Sequence, residues 1–370
     1  MNTPRSPIQT LACPNLDCQA YAKPSLENLK VIKTYGKDQI RYLKCKICKT
    51  EFSERKNTPL WNAKIPEERI AQIGEAFAEK GSFQAAARQT KTARNTVKRY
   101  ANKLGIHAQA FHDARAVNLN VKALEFDERH GFAISKEHQF WEGNALDPES
   151  KFMLEVSFGR RDESMIHDLM VATKNRLAPD KELLVMTDGL ASYKSLFPEV
   201  FGRAYPGKWR AGRDPRGRRP NPIYRVPHGV AHVQVVKTRE GKRIVRVETR
   251  LAHGSQKTFK KGLERLGYKQ GNTSAIERFN ATARGMNAFQ VRRSLVFARE
   301  PVSRVRAGWW SAVVYNFCRA NRALRVRLEV PVGRRKFLER SPAMAIRISD
   351  RVWSVLEVLR TPVYGLRAAR

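Results

Sequence analysis

Gly271–Leu295, GNTSAIERFNATARGMNAFQVRRSL, is the stretch that the rest of the chain is organised around. It reads as one amphipathic helix. Asn272, Thr273 and Ser274 offer capping side chains at its start, and Arg292 and Arg293 put cations in its last turns, where they suit the helix dipole. Ile276, Phe279, Ala283 and Met286 recur at helical spacing as an apolar stripe. Glu277, Asn280, Arg284 and Asn287 form a polar stripe beside it. A carboxylate, a carboxamide and a guanidinium lined up next to a buried face can present chemistry. Ser274 and Glu277 also satisfy the S-x-x-E capping box, in which the carboxylate merely reaches back to the cap. Taken alone, the helix favours that plainer reading; acids upstream change the balance.

The 370 residues leave room for two or three domains, and 70 Lys and Arg against 35 acids give a formal charge of +35. The excess is spread along the chain, so a polyanion is the expected partner, and nucleic acid is the commonest one. No apolar run approaches a membrane span and the N-terminus has no apolar signal core, so we expect a cytoplasmic, nucleoid-associated protein with no membrane partner. The five cysteines are clustered, which argues for metal rather than disulfides.

Residues 1–60 read as a zinc ribbon. Cys13-x4-Cys18 and Cys45-x2-Cys48 make two knuckles able to close a tetrahedral zinc site, and Lys44, Lys46 and Lys49 beside the second would help hold thiolates ionised. Cys318, in an apolar run, reads as core. Residues 61–106 carry three helical segments: Glu67–Glu79, Phe83–Gln89 capped by Ser82, and Ala93–Leu104 capped by Thr92. The short turn after the second segment predicts a helix-turn-helix whose third helix offers Arg94, Asn95, Lys98 and Arg99 to DNA. Residues 107–120 show no clear pattern and read as a linker.

From Val121 the texture turns to strands: VKALEFDERHGFAI, HQFWEGNALD and KFMLEVSF predict an antiparallel meander. A helix over Asp162–Leu177, the apolar strand of KELLVMTDG and a short helix over Leu190–Phe197 complete an α/β domain with a mixed sheet. An insertion over 201–270 contains an Arg- and Pro-rich arm with Arg218 and Arg219, then a basic hairpin with Arg243, Arg246 and Arg250. Val305–Leu324 reads as a helix packing Trp309, Val313 and Phe317 into the core of that domain, which is expected to run to residue 330. A basic tail with a helical segment occupies 331–370.

Asp127 on the first strand, Asp188 at the end of the buried strand and Glu277 on the later helix stand where they can meet. Carboxylates brought together repel unless cations join them, so such a cluster predicts a divalent metal. Glu125 and Glu128 compete with Asp127; strand alternation is taken to turn both away from its face.

FDERHGF, LLVMTDGLASY, SAIERFNATAR and YNFCRANRAL resemble the DDE transposases of bacterial insertion sequences. The four-cysteine start, the helix-turn-helix and SPAMAIRISDRVWSV resemble in particular the insertion sequence 1 family. The resemblance covers nearly the whole chain in order. It implies a ribonuclease H-like catalytic domain, Mg²⁺- or Mn²⁺-dependent cleavage and 3′-hydroxyl strand transfer at terminal inverted repeats, and at least a homodimer on paired double-stranded DNA ends. It makes Asp127, Asp188 and Glu277 the metal-binding acids and gives Asn280 and Arg284 supporting roles. The other classes to weigh are a non-catalytic DNA-binding regulator or transposon relic, and a structure-specific nuclease of the same fold.

Overall fold

Three antiparallel strands, β1 (Leu29–Tyr35), β2 (Ile40–Cys45) and β3 (Glu51–Ser53), open the structure, a computed structural model that describes residues 5–179, 182–207, 220–241, 243–291 and 294–365. Arg218, Arg219, Arg292 and Arg293 lie outside the described residues. The ribbon's core is small: Leu29, Leu43 and Phe52 pack with Cys13, Cys18 and Cys45.

Three helices follow: α1 (Glu67–Ala78), α2 (Phe83–Gln89) and α3 (Arg94–Arg115). Ser82 caps α2 as expected, its hydroxyl accepting from the Ala85 amide at 3.1 Å. Thr92 does not cap α3; its hydroxyl donates to the Thr90 carbonyl at 3.1 Å. The linker expected over 107–120 is corrected over most of its length, because α3 runs to Arg115. Val97, Tyr100, Leu104, Ala108 and Phe111 continue one buried stripe, and the buried His107 and His112 interrupt it only in composition.

The chain then builds a six-stranded mixed sheet. Its strands are β4 (Ala123–Arg129), β5 (Trp141–Leu146), β6 (Met153–Gly159), β7 (Leu183–Thr187), β10 (Val230–Glu240) and β11 (Arg243–His253), ordered β11-β10-β7-β4-β5-β6. A short ribbon of β8 (Arg203–Tyr205) and β9 (Ile223–Arg225) stands apart. β4, β5 and β6 form the predicted antiparallel meander, while β7 runs parallel to β4 and β10 parallel to β7. The helices are α4 (Glu163–Arg176), α5 (Ala191–Phe201), α6 (Gln256–Leu266) and α7 (Ser274–Met286). β7 is buried along its whole length, which its uninterrupted LLVMT run demands of a central parallel strand. On one face α6 lays Phe259 and Leu263 over Ala123, Leu184, Met186 and Val233.

Two expectations change here. The region 201–270 is not wholly an insertion, since the buried start of β10 is a sheet strand and α6 covers it. The helix expected over 271–295 ends at Met286, where Asn287 turns extended and its side chain accepts from the Phe289 amide at 3.0 Å.

The remaining elements are α8 (Pro301–Val313), which continues as a π-type turn over Val314–Cys318, the hairpin β12 (Val326–Val332) and β13 (Arg335–Leu338), and the short helices α9 (Pro342–Ala345) and α10 (Val355–Arg360). Met1–Arg115 with Ala283–Arg370 forms one unit and Ala116–Thr282 the other, which corrects the boundary expected at 330. Trp309 and Phe317 do pack a core, but that of the helical unit: Trp309 lies against His112 at 5.3 Å and Phe317 against Phe111 at 5.1 Å. Two glycines let α8 in. The Trp310 indole donates to the Gly74 carbonyl at 2.8 Å, and a Cβ on Gly105 would lie 2.5 Å from the Arg306 Cα.

That close approach reverses an ordinary preference. In an open helix Gly→Ala gains about 1 kcal/mol. Gly105→Ala should instead lose about 2 kcal/mol through overpacking, read by denaturant unfolding. A gain would show that α3 and α8 do not cross there.

Candidate metal centres and active site

The four cysteines of the ribbon converge. Cys13 Sγ lies 3.5 Å from Cys48 Sγ and Cys18 Sγ 3.9 Å from Cys45 Sγ, and all four sulfurs fall within 4.8 Å of one another. Tetrahedral zinc with bonds of about 2.3 Å requires sulfurs about 3.8 Å apart, so the cluster fits zinc. The Asn28 carboxamide reaches Cys45 Sγ at 3.3 Å and the Ala20 amide Cys18 Sγ at 3.4 Å, orienting the sulfurs from outside. The Thr50 hydroxyl, 3.3 Å from Cys48 Sγ, is the main cause that lowers that thiol to about 6. Burial opposes ionisation of Cys45, yet the Cys48 and Ile47 amides and Asn28 bring it below its ordinary value. Burial pushes Cys13 and Cys18 up. The lysines expected to ionise the thiols are engaged elsewhere: Lys44 with Glu51, Lys46 with the Glu27 carbonyl, Lys49 with the Lys46 carbonyl.

The second centre grows out of strand register. Parallel pairing sets Ala123 beside Leu184 and Glu125 beside Met186, and the same offset carries Asp127 alongside Asp188 just past the end of β7. Oxygens of Asp127, Glu128 and Asp188 lie within 4.8 Å of one another. Asp127 is raised to about 6, first by burial and then by the Asp188 charge. Glu128 is raised to about 7 by burial, against the pull of Tyr193.

The surroundings hold these acids in place. The Asn280 carboxamide donates to Asp127 Oδ2 at 2.7 Å, and the Glu128 amide to Asp127 Oδ1 at 2.9 Å. Arg161 lies 2.9 Å from Glu128 and 3.6 Å from Asp188, and the Tyr193 hydroxyl donates to Glu128. Glu277 stands apart from the triad. Half-exposed at the start of α7, it pairs with Lys237 and accepts from the Thr273 hydroxyl at 3.1 Å. Ser274 is the first residue of α7, so the predicted Ser274–Glu277 capping box does not form. The helix start is held from the sheet instead, by Glu125 Oε2 accepting from the Ile276 amide at 2.7 Å.

Glu125 therefore shares the Asp127 face, as its two-residue offset dictates, and burial raises it to about 8. That corrects the expectation that it turns away. Glu128 does turn towards α5, yet its longer side chain still brings an oxygen to the cluster. Hard carboxylate oxygens are the donor chemistry that Mg²⁺ and Mn²⁺ take, so Asp127 and Asp188 fit a divalent ion, with Arg161 and Lys237 as counter-charges nearby. Sequence reasoning missed Arg161, Tyr193, Lys237 and the anchoring role of Glu125; Tyr193 stood inside the quoted LLVMTDGLASY.

No protein-family model matches this chain, and neither does any curated protein.

Of the residues assigned to DNA, those that the structure describes are exposed. Arg94, Asn95, Lys98 and Arg99 crowd the first turns of α3, with Lys98 paired to Glu300 at 2.7 Å. Arg243 and Arg246 project from β11. A bulge at Val245 pairs Arg243 with Glu240, Arg246 with Thr238 and Arg250 with Gln234, so the three arginines share one face, where Glu248 pairs with Arg246 and Arg250. Arg284 is half-buried on α7, in the helical unit. No described helix is long and apolar enough to cross a membrane.

Zinc content and pH dependence test the two centres. The purified chain should release one zinc per molecule on thiol modification, and Cys45→Ser should abolish that release and lower the melting temperature; full occupancy in Cys45→Ser would contradict the site. A carboxylate whose folded pKa is raised stabilises the fold while protonated, and that stability is lost as pH rises through about 6 to 7. Mn²⁺ favours the ionised form, so its stabilising effect should grow from about pH 5 to about pH 8. An effect independent of pH, or unchanged in Asp188→Asn, would place Mn²⁺ elsewhere.

Proposed function

We propose that the chain is a DNA transposase of the DDE type, resembling the insertion sequence 1 family, that binds terminal inverted repeats and cuts and joins DNA strands. One observation carries this reading: Asp127 and Asp188 meet through parallel strand register, and Asn280 of the Glu277-bearing helix is bonded to Asp127. The meander followed by parallel strands, with helices against the sheet, supports a ribonuclease H-like domain. When bound, two Mg²⁺ ions would supply the charge that activates a water or a 3′-hydroxyl and stabilises the leaving oxygen. Asp127 and Asp188 would hold them, and Glu277 would join after its carboxylate leaves Lys237. Asn280 fixes the Asp127 carboxylate, and Arg161 is placed to meet a phosphate once the acids are otherwise neutralised. The ribbon and helix-turn-helix would hold the ends of the element, with a second copy on the paired end.

A DNA-binding protein without catalysis is the second reading. It is favoured by the Lys237–Glu277 and Arg161–Asp188 pairs, which neutralise two of the acids without metal.

Labelled DNA carrying the element's flanking ends, incubated with Mg²⁺ or Mn²⁺, separates the two. Asp127→Asn, Asp188→Asn and Glu277→Gln should each lower cutting about a thousandfold or more while end binding is kept. Glu128→Gln, which keeps its contact with Tyr193, should retain cutting. Loss in Glu128→Gln with retention in Glu277→Gln would make Glu128 the third acid. Binding without cutting by the unsubstituted chain in both metals would favour the second reading.

A further inference from the structure

Within the helical unit, two adjoining cavities of about 480 and 350 Å³ open beside the first turns of α3. They share Phe83, Lys98, Phe289, Glu300 and Ser303 in their walls, so they form one cleft. Its apolar wall is aromatic. Phe83 meets Phe77 edge-on at 5.5 Å and Phe289 at 5.7 Å, and all three rings are only half-buried. Its rim is cationic: Lys98, Arg99 and Arg306 line the larger cavity, Arg94 and Arg299 the smaller. Glu300 is the only acid among the described residues that line it, and Lys98 already neutralises it at 2.7 Å. Arg306 donates through Nη1 to Gln109, while its buried Nε has no partner among the described residues. Asn95 and Asn102 add carboxamides, which both donate and accept.

Aromatic faces, amides and several cations in one cleft are complementary to a planar heteroaromatic ring that carries an anion. A nucleotide has that chemistry. Arg94, Asn95, Lys98 and Arg99 are also the exposed groups of α3 assigned to DNA, so the ring has a source close at hand. We propose that this cleft receives an unpaired nucleotide of the bound DNA strand, its base against Phe83 and Phe289 and its phosphate against the arginines. Drawing a base out of the stack costs a few kcal/mol in intact duplex and far less at a frayed or single-stranded position, so the cleft would favour DNA that is already open. The proposal rests on the reading of this unit as DNA-binding and adds a preference that duplex recognition by α3 does not require.

The test uses the full chain without added divalent metal and a fluorescent oligothymidylate of about 12 nucleotides, within the usual span of single-strand sites. A duplex of the same length serves as reference. Val302 lines the cleft and is 47% exposed, so Val302→Trp can fill the space without disturbing a core. Phe289→Leu keeps apolar volume and removes the stacking face. Each should weaken oligothymidylate binding about tenfold, the effect of losing one base stack, and leave duplex binding and melting temperature unchanged. Undiminished oligothymidylate binding in both variants would overturn the proposal. So would thymidine monophosphate competing as well as the oligomer, which would make the ligand a free nucleotide. Absence of duplex binding by the unsubstituted chain would overturn the DNA-binding reading itself, and is seen separately.

Discussion

Oxygens of three carboxylates, from Asp127, Glu128 and Asp188, lie within 4.8 Å of one another, and charges that close must be neutralised, protonated or bridged. Much of the α/β unit can be understood from that constraint. Burial and mutual repulsion lift Asp127 and Glu128 towards neutrality. Arg161 spans Glu128 and Asp188, Tyr193 and Asn280 supply hydrogen bonds, and Lys237 holds the nearby Glu277. The sheet is what makes the crowding unavoidable, because the parallel offset between β4 and β7 brings the two aspartates side by side. Glu125 adds an anchor from the same strand, fixing the start of α7 and with it the direction from which Asn280 and Glu277 approach.

The helical unit depends on a different constraint, backbone proximity. Gly74 and Gly105 leave room for α8, and the indole of Trp310 is satisfied by a backbone carbonyl only because Gly74 has no side chain in the way. Glu67, nearly fully buried, ties Arg55 of the ribbon to Arg360 of α10, so both ends of the chain contribute to one ion-paired network. Such a network is costly to break singly, since any one removal leaves a buried charge without its partner.

Patterns that depend on near neighbours were legible. The meander, the apolar run of β7, the cap on α2 and the two cysteine knuckles follow from alternation, composition and short spacing. Asp127 and Asp188 could be singled out because motif wording and strand position agreed. What was not legible required knowing partners far away in sequence. The extension of α3 to Arg115 was hidden by His107 and His112, polar in composition and buried by α10 and α8. The stop of α7 at Met286 depends on Asn287 capping the next turn, which the apolar stripe alone does not reveal. Residues 283–330 read as part of the catalytic domain because they follow it, whereas their aromatic side chains meet α1, α2 and α3. Motif position singles out Glu277, whose carboxylate is instead paired with Lys237.

In the proposed function, Asp127 and Asp188 form a divalent-metal centre that Glu277 completes. Crystals of the chain soaked in Mn²⁺, measured by anomalous diffraction, test it most directly. A manganese peak is expected between the Asp127 and Asp188 carboxylates, with Glu277 turned from Lys237 towards it. No peak there, with Lys237 and Arg161 still paired to the acids, would contradict it.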